Sequence, residues 1–166
     1  MKNWSHRPVE VAYLFNPAFC GEVLLRSIET YSKHSTNEEG LSFPLAFLIL
    51  PLVLHKKTRE RIPATTKNTL HYWLRENGSA LIGFPMRARN LVPLTREAIT
   101  FLIQLQMIQV VTEGRLVRTT KRHRRSSGFE PDVEIEDCLS KAETIGKWFA
   151  RAGTPSTVYF TLGVKP

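Results

Sequence analysis

Apolar positions recur every three or four residues over most of this chain, broken by polar, Pro or Gly positions that punctuate helices. Pro8 opens a short helix with Val11, Leu14 and Phe15 on its apolar face. Asn16-Pro17 reads as a cap followed by a new first turn, because Asn accepts from early backbone N–H groups and Pro has none to leave unpaired. Phe19, Val23, Leu24, Ile28 and Tyr31 continue that helix, which is predicted to end before Ser35-Thr36-Asn37 and the polar loop holding Gly40. Phe43 to Leu54 is apolar at nearly every position; its Leu and Ala content favours a buried helix, kinked at Pro51. The charged Lys56–Arg61 stretch forms a helix end or a short exposed helix, and Ile62-Pro63 closes the unit.

Thr65 or Thr66 is predicted to cap the next helix, which turns Leu70, Trp73 and Leu74 inward and stops near Asn77-Gly78. A short helix follows from Ser79 to Asn90, packing through Ala80, Phe84, Ala88 and Leu91. Thr95 then caps a stronger helix through Gln106, with Ala98, Ile99, Leu102 and Leu105 as its stripe. Beyond it the pattern changes. Ile108–Val111 is β-branched, Thr112-Glu113-Gly114 is a turn, and Arg115–Thr119 alternates basic with apolar or Thr residues, which predicts a β-hairpin. Arg122 to Asp132 reads as an exposed loop, because Ser126-Ser127-Gly128 and Pro131 oppose regular structure. Ile135–Ala152 makes a last helix with Leu139, Ala142, Ile145 and Phe149 inward, Trp148 beside them and favoured as core, and Gly153 as its C-terminal cap. Thr157–Leu162 reads as a final strand.

The expected fold is mainly α with a small β part: a helical domain carrying a winged-helix-like unit, in which three short helices precede a hairpin wing. Residues 1–166 form one compact domain, within which 1–64 and 65–166 are possible lobes. The apolar content is ordinary for a globular chain and excludes disorder as the default.

Charge sharpens this picture. The formal net charge is +8, from 23 Lys and Arg against 15 Asp and Glu. Much of the excess falls on Arg115, Arg118, Lys121, Arg122, Arg124 and Arg125, with no acidic residue among them, which points to one cationic contact surface. Arg87, Arg89 and Arg96 are second candidates, since Arg87 and Arg89 occupy the recognition region of a winged unit. Such cations could follow a nucleic-acid backbone or meet an acidic protein face. The acidic residues Glu130, Asp132, Glu134, Glu136 and Asp137 could instead pair with them inside the chain.

Little else suggests chemistry. Gly21, Gly40, Gly78 and Gly83 are scattered, so no phosphate-cradling loop is expected. His6, Cys20, His34, His55, His71, His123 and Cys138 lack the close spacing of a zinc site. Ser, His and Asp occur without a nucleophile elbow, and the acidic run is more economically a solvated face than paired catalytic carboxylates. Cys20 and Cys138 are expected to be buried thiols in a reducing compartment. Phe43–Leu54 is shorter than the roughly 20 residues a membrane span needs, and the polar start lacks a signal-peptide core. The expectation is a cytoplasmic protein without enzymatic activity, cofactor, metal or membrane contact.

Several longer segments carry a resemblance. Asn16-Pro17-Ala18-Phe19-Cys20, Pro44 through Lys56, Leu91-Val92-Pro93-Leu94-Thr95-Arg96-Glu97-Ala98, Gly146 through Gly153 and the closing Leu162-Gly163-Val164-Lys165-Pro166 are similar to the middle component of bacterial three-component ABC systems. The similarity runs along almost the whole chain. It implies partners, namely an SMC- or RecN-like ABC ATPase and a third, often effector-like component, in prokaryotic defence against mobile elements. It implies no catalytic residue. The expected function is an adaptor linking the ATPase to another component, with a winged-helix DNA-binding protein as the alternative. That alternative is weakened because the helix before the hairpin is rather apolar, with Phe101 and Ile103 off its main stripe.

Overall fold

A computed structural model describes residues 16–36, 39–63, 68–121 and 132–165. Among these the order is α1 (Pro17–His34), β1 (Leu41–Ser42), α2 (Phe43–Val53), α3 (Lys56–Arg59), α4 (Leu70–Glu76), a 3-10 turn (Gly78–Leu81), α5 (Phe84–Gln104), β2 (Ile108–Val111), a second 3-10 turn (Thr112–Gly114), β3 (Arg115–Arg118), α6 (Val133–Arg151) and α7 (Pro155–Thr161). The fold is mostly helical with one small antiparallel sheet. The helix read at Pro8 lies outside the described residues.

The start of α1 follows from its sequence. Asn16 Oδ1 accepts from the Ala18 N–H at 2.9 Å and Pro17 fills the first turn. Val23, Leu24 and Ile28 are buried on its core face. α2 is buried almost throughout and holds Pro51 within its length. α1 packs along both α6 and α5, and α2 packs on α5. Leu24, Ile28, Ile49, Ala98, Ile145 and Phe149 are fully enclosed where these helices meet. Each fully buried Leu, Ile or Phe contributes about 1.5–3 kcal/mol relative to exposure.

Two tryptophans fasten α4 to α6. Trp73 and Trp148 have ring centroids 5.3 Å apart. Trp73 Nε1 donates to the Arg61 carbonyl at 2.7 Å, and Trp148 Nε1 donates to the Asn68 carbonyl, also at 2.7 Å. Both indole N–H groups are thereby satisfied, as burial demands. Trp148, beside the apolar stripe, lies in the core, the reading favoured for it.

The hairpin forms where the β-branched run predicted it, with Ile108 opposite Arg118 and Val111 opposite Arg115. The sheet also gains a strand that its sequence did not announce. Leu41 pairs with Leu116 and Ser42 with Arg115, giving the order β1-β3-β2. Gly40 permits this approach: a Cβ there would lie 2.5 Å from Val117 Cγ1 and 2.7 Å from the Leu116 carbonyl oxygen.

Four expectations need correction. The two helices read at Ser79–Asn90 and Thr95–Gln106 are one helix, α5, which runs through Pro93. Pro93 is exposed, so the Arg89 carbonyl that loses its helical donor faces solvent. Thr95 therefore caps nothing; its hydroxyl donates back to the Leu91 carbonyl at 3.0 Å. The cap of α4 is Thr69, whose Oγ1 accepts from Tyr72 N–H at 3.3 Å, and Thr65 and Thr66 lie outside the described residues. Thr157–Leu162 is helical rather than extended. Thr154 Oγ1 accepts from Thr157 N–H at 3.2 Å and Pro155 opens α7, a cap-plus-proline start that overrides the β-branched composition. Finally, the charged stretch after α2 is not wholly exposed, because Arg59 is buried.

Candidate functional site

Arg115 and Arg118 stand on β3 and face carboxylates of the same chain. Arg115 Nη1 lies 2.6 Å from Glu39 Oε2, its Nε lies 3.5 Å from Glu113, and Nη1 also reaches the Gly40 carbonyl. Arg118 pairs with Glu29 on α1. The Glu29 carboxyl is held below its ordinary pKa, first by the Lys33 hydrogen bond and then by Arg118, against a cost from burial. Lys121 is exposed and its Nζ reaches Gln106 Oε1 at 3.4 Å. Arg122, Arg124 and Arg125 lie outside the described residues. The hairpin thus carries arginines that are already matched by acidic groups.

The second set divides. Arg87 is structural: Nη1 donates to the Ile82 carbonyl at 2.7 Å, Nη2 to the Ala80 carbonyl at 3.2 Å, and the guanidinium sits 5.7 Å over the Phe84 ring. Its fork closes the glycine turn before α5, where Gly83 adopts φ +71°. Arg89 and Arg96 are exposed on α5 and make no hydrogen bond or ion pair with a described residue. They share a face with Met86, Pro93, Thr100 and Ile103, all exposed, while Phe84, Ala88, Ala98, Ile99 and Leu102 line the buried side.

Sequence reasoning missed the most heavily engaged cation. Arg59 on α3 donates from Nη2 to Glu134 Oε1 at 2.5 Å, from Nε to Asp137 Oδ2 at 2.9 Å and from Nη1 to the Val53 carbonyl at 3.0 Å. Two of the acidic residues at the start of α6, Glu134 and Asp137, are therefore partners of Arg59. Asp137 also lies 3.7 Å from Lys141. Pairing across α3 and α6 leaves no trace in local spacing.

No group of three His, Cys, Asp or Glu that could hold a metal ion occurs among the described residues. Cys20 and Cys138 are both buried and outside any disulfide, in line with the buried-thiol expectation. A hollow of about 120 Å³ is lined by Asn68, Thr69, Leu70, His71, Trp148, Arg151 and Ala152. That is below the roughly 300 Å³ at which small-molecule sites begin. No helix among the described residues is long and apolar enough to cross a membrane.

The described residues form a mostly helical protein with a short hairpin, two ion-paired arginines on β3 and exposed cations on α5. The chain belongs to the family described as ABC-three component (ABC-3C) system Middle Component 3, whose model matches residues 4–166. No curated protein and no solved structure matches it.

Proposed function

We propose that this protein is a non-enzymatic adaptor that joins the ABC ATPase of its system to another component. The observation that carries this reading is membership of a middle-component family over essentially the whole chain. Such a component implies partners, and the exposed side chains of α5 are available to meet one. Defence against mobile elements is the setting this membership suggests.

The topology supports a winged-helix reading of its framework. α1, β1, α2, α5, β2 and β3 follow in the order helix, strand, helix, helix, strand, strand, and β1 pairs beside β3. On this reading α3, α4 and the 3-10 turn are an insertion ahead of the third helix. A winged framework serves DNA or protein contact equally, since function lies in the surface it presents. Pairing of Arg115 and Arg118 with Glu39, Glu113 and Glu29 leaves them less available to phosphate, which favours the adaptor over the DNA-binding alternative.

Co-purification with each of the other two components, followed by duplex-DNA titration across a salt series, tests the reading. A stoichiometric protein complex with no salt-steep DNA binding is the expected result. Tight duplex binding by the isolated protein, or turnover of a substrate by it alone, would overturn it. The basic loop enters as the triple replacement of Arg122, Arg124 and Arg125 by Ala, expected to weaken only the partner that uses that loop.

A further inference from the structure

The outward face of α5 has unusual composition for a solvated helix. Of the ten large apolar side chains exposed among the described residues, Ile82, Met86, Ile103, Leu105, Val110 and Val111 lie on α5, at its two ends or on β2. Ile82 is 77% exposed and Met86 70%, both beside the left-handed Gly83 turn that begins the helix. The helix itself is 21 residues long, about 30 Å at 1.5 Å per residue. On α5 itself Met86 and Ile103 share the exposed face with Pro93 between them, and grouped exposed apolar side chains mark a contact surface better than scattered ones do.

Charge decides what covers it. Arg89 and Arg96 sit two helical turns apart on this face and have no acidic partner among the described residues, whereas Arg59, Arg115 and Arg118 each have one. A face with apolar groups and two unengaged guanidinium groups is complementary to an apolar ridge bordered by carboxylates. Duplex DNA is a poorer match. Neutralising two phosphates gives a salt slope of only about −2, against the six to ten contacts of committed DNA binders, and Met86, Pro93 and Ile103 offer nothing to phosphate.

We propose that the exposed face of α5, through Met86, Arg89, Pro93, Arg96 and Ile103, docks a protein partner that presents an apolar ridge flanked by Asp and Glu side chains. This deepens the adaptor reading and rests on it: the partner is another component of the same system. Aromatic, Met and Arg side chains are enriched in such contacts, and arginine gains from bidentate pairing with carboxylate.

The test uses the full chain and the two purified companion components, each titrated separately. Met86→Asp, Arg89→Glu and Arg96→Glu are combined in one variant, and Lys56→Glu with Lys57→Glu on exposed α3 serves as the control. All five side chains are exposed, and an unchanged thermal midpoint verifies folding. The α5 variant is expected to lose at least about 100-fold in affinity for one component, as truncated central contacts do, while the control keeps wild-type affinity. The milder Arg89→Gln with Arg96→Gln variant is expected to flatten the salt dependence of that complex. If wild-type protein binds a component and the α5 variants bind it equally, the docking face is wrong and the adaptor stands. If wild-type protein binds neither component, the adaptor reading falls and the docking face with it. Loss of duplex binding alone in the α5 variants would make this face a nucleic-acid contact and overturn the proposal.

Discussion

Gly146 on α6 lies against the backbone of Ser27 on α1 so closely that a Cβ would stand 2.5 Å from the Ser27 carbonyl oxygen. Ser27 Oγ donates to the Ala142 carbonyl at 2.8 Å, one turn earlier on α6. The most extensively packed helix pair of the core, α1 and α6, thus meets through small side chains at positions 142 and 146, with backbone rather than side chain setting the distance. This explains why a glycine, normally unfavourable inside a helix, occupies the middle of α6.

Gly146→Ala is expected to destabilise the protein by about 2 kcal/mol or more, because backbone cannot yield as a flexible side chain would. The gain in helix propensity, up to about 1 kcal/mol, offsets only part of it. Urea unfolding measures this as a lower midpoint at an unchanged slope. An equal or higher midpoint would show that α1 and α6 separate without cost.

The same close approach shows what a linear sequence discloses. The caps at Asn16 and Gly153, the buried Phe43–Leu54 helix, the hairpin and the inward stripe of α6 were legible because each rests on neighbours in sequence. Continuous α5 was hidden because Pro93 ordinarily ends a helix, and only its exposed position makes the break tolerable. Strand β1 was hidden because Leu41-Ser42 has meaning only beside Leu116 and Arg115. Helix α7 could have been found: Thr154-Pro155 repeats the logic of Asn16-Pro17, but the β-branched Thr157-Val158 outweighed it. The sequence offered Arg89 and Arg96 as second candidates for contact, and both are exposed. It could not show that Arg87, Arg115 and Arg118 are engaged, because their partners lie across a turn or on other elements.

Arg59 carries the strongest electrostatic prediction. Its buried guanidinium serves Glu134, Asp137 and the Val53 carbonyl together, which ties α3 to the ends of α2 and α6. Arg59→Ala is expected to cost about 2–3 kcal/mol, the range for lost charge-assisted hydrogen bonds together with lost packing. Arg59→Lys is expected to recover part of that, since an ammonium cannot reproduce the planar fork. Glu134→Gln should cost under about 1 kcal/mol, because Glu134 is half exposed. Denaturant midpoints in that order support the arrangement; an Arg59→Ala protein as stable as wild type would refute it.

The two thiols should be inert in the folded protein. Burial pushes Cys20 up to about 12, with Glu97 and Cys138 adding to the shift. Burial likewise pushes Cys138 up to about 11, against the opposing pull of Arg59. At pH 8 the thiolate fraction is then about one in ten thousand and one in a thousand respectively, and the thiolate is the reactive form. Alkylation with iodoacetamide is expected to be at least about 100-fold slower than for a free cysteine, and to become rapid in guanidinium chloride. Rapid labelling of Cys20 in native protein would reveal an opening between α1 and its neighbours.

His55 should make stability depend on pH near neutrality. Its pKa lies below the ordinary 6.5, through burial first and then the nearby Arg87 and Lys57 charges. The Thr58 hydroxyl donates to the Ala80 carbonyl at 3.0 Å, so toward His55 Nδ1, 2.7 Å away, it acts as acceptor. The neutral ring therefore carries its proton on Nδ1, and acid adds the second at Nε2. As pH falls through 6.5 the unfolded chain takes up that proton before the folded one does, so the unfolded state binds more protons and stability drops. The contribution is complete above pH 6.5 and is lost progressively down to the folded pKa. NMR titration of the His55 ring should give a midpoint under 6.5, and replacing His55 with Gln should flatten the fall in urea midpoint between pH 7.5 and 5. A ring that titrates at or above 6.5 would mean that Arg87 and Lys57 are too well screened to act on it.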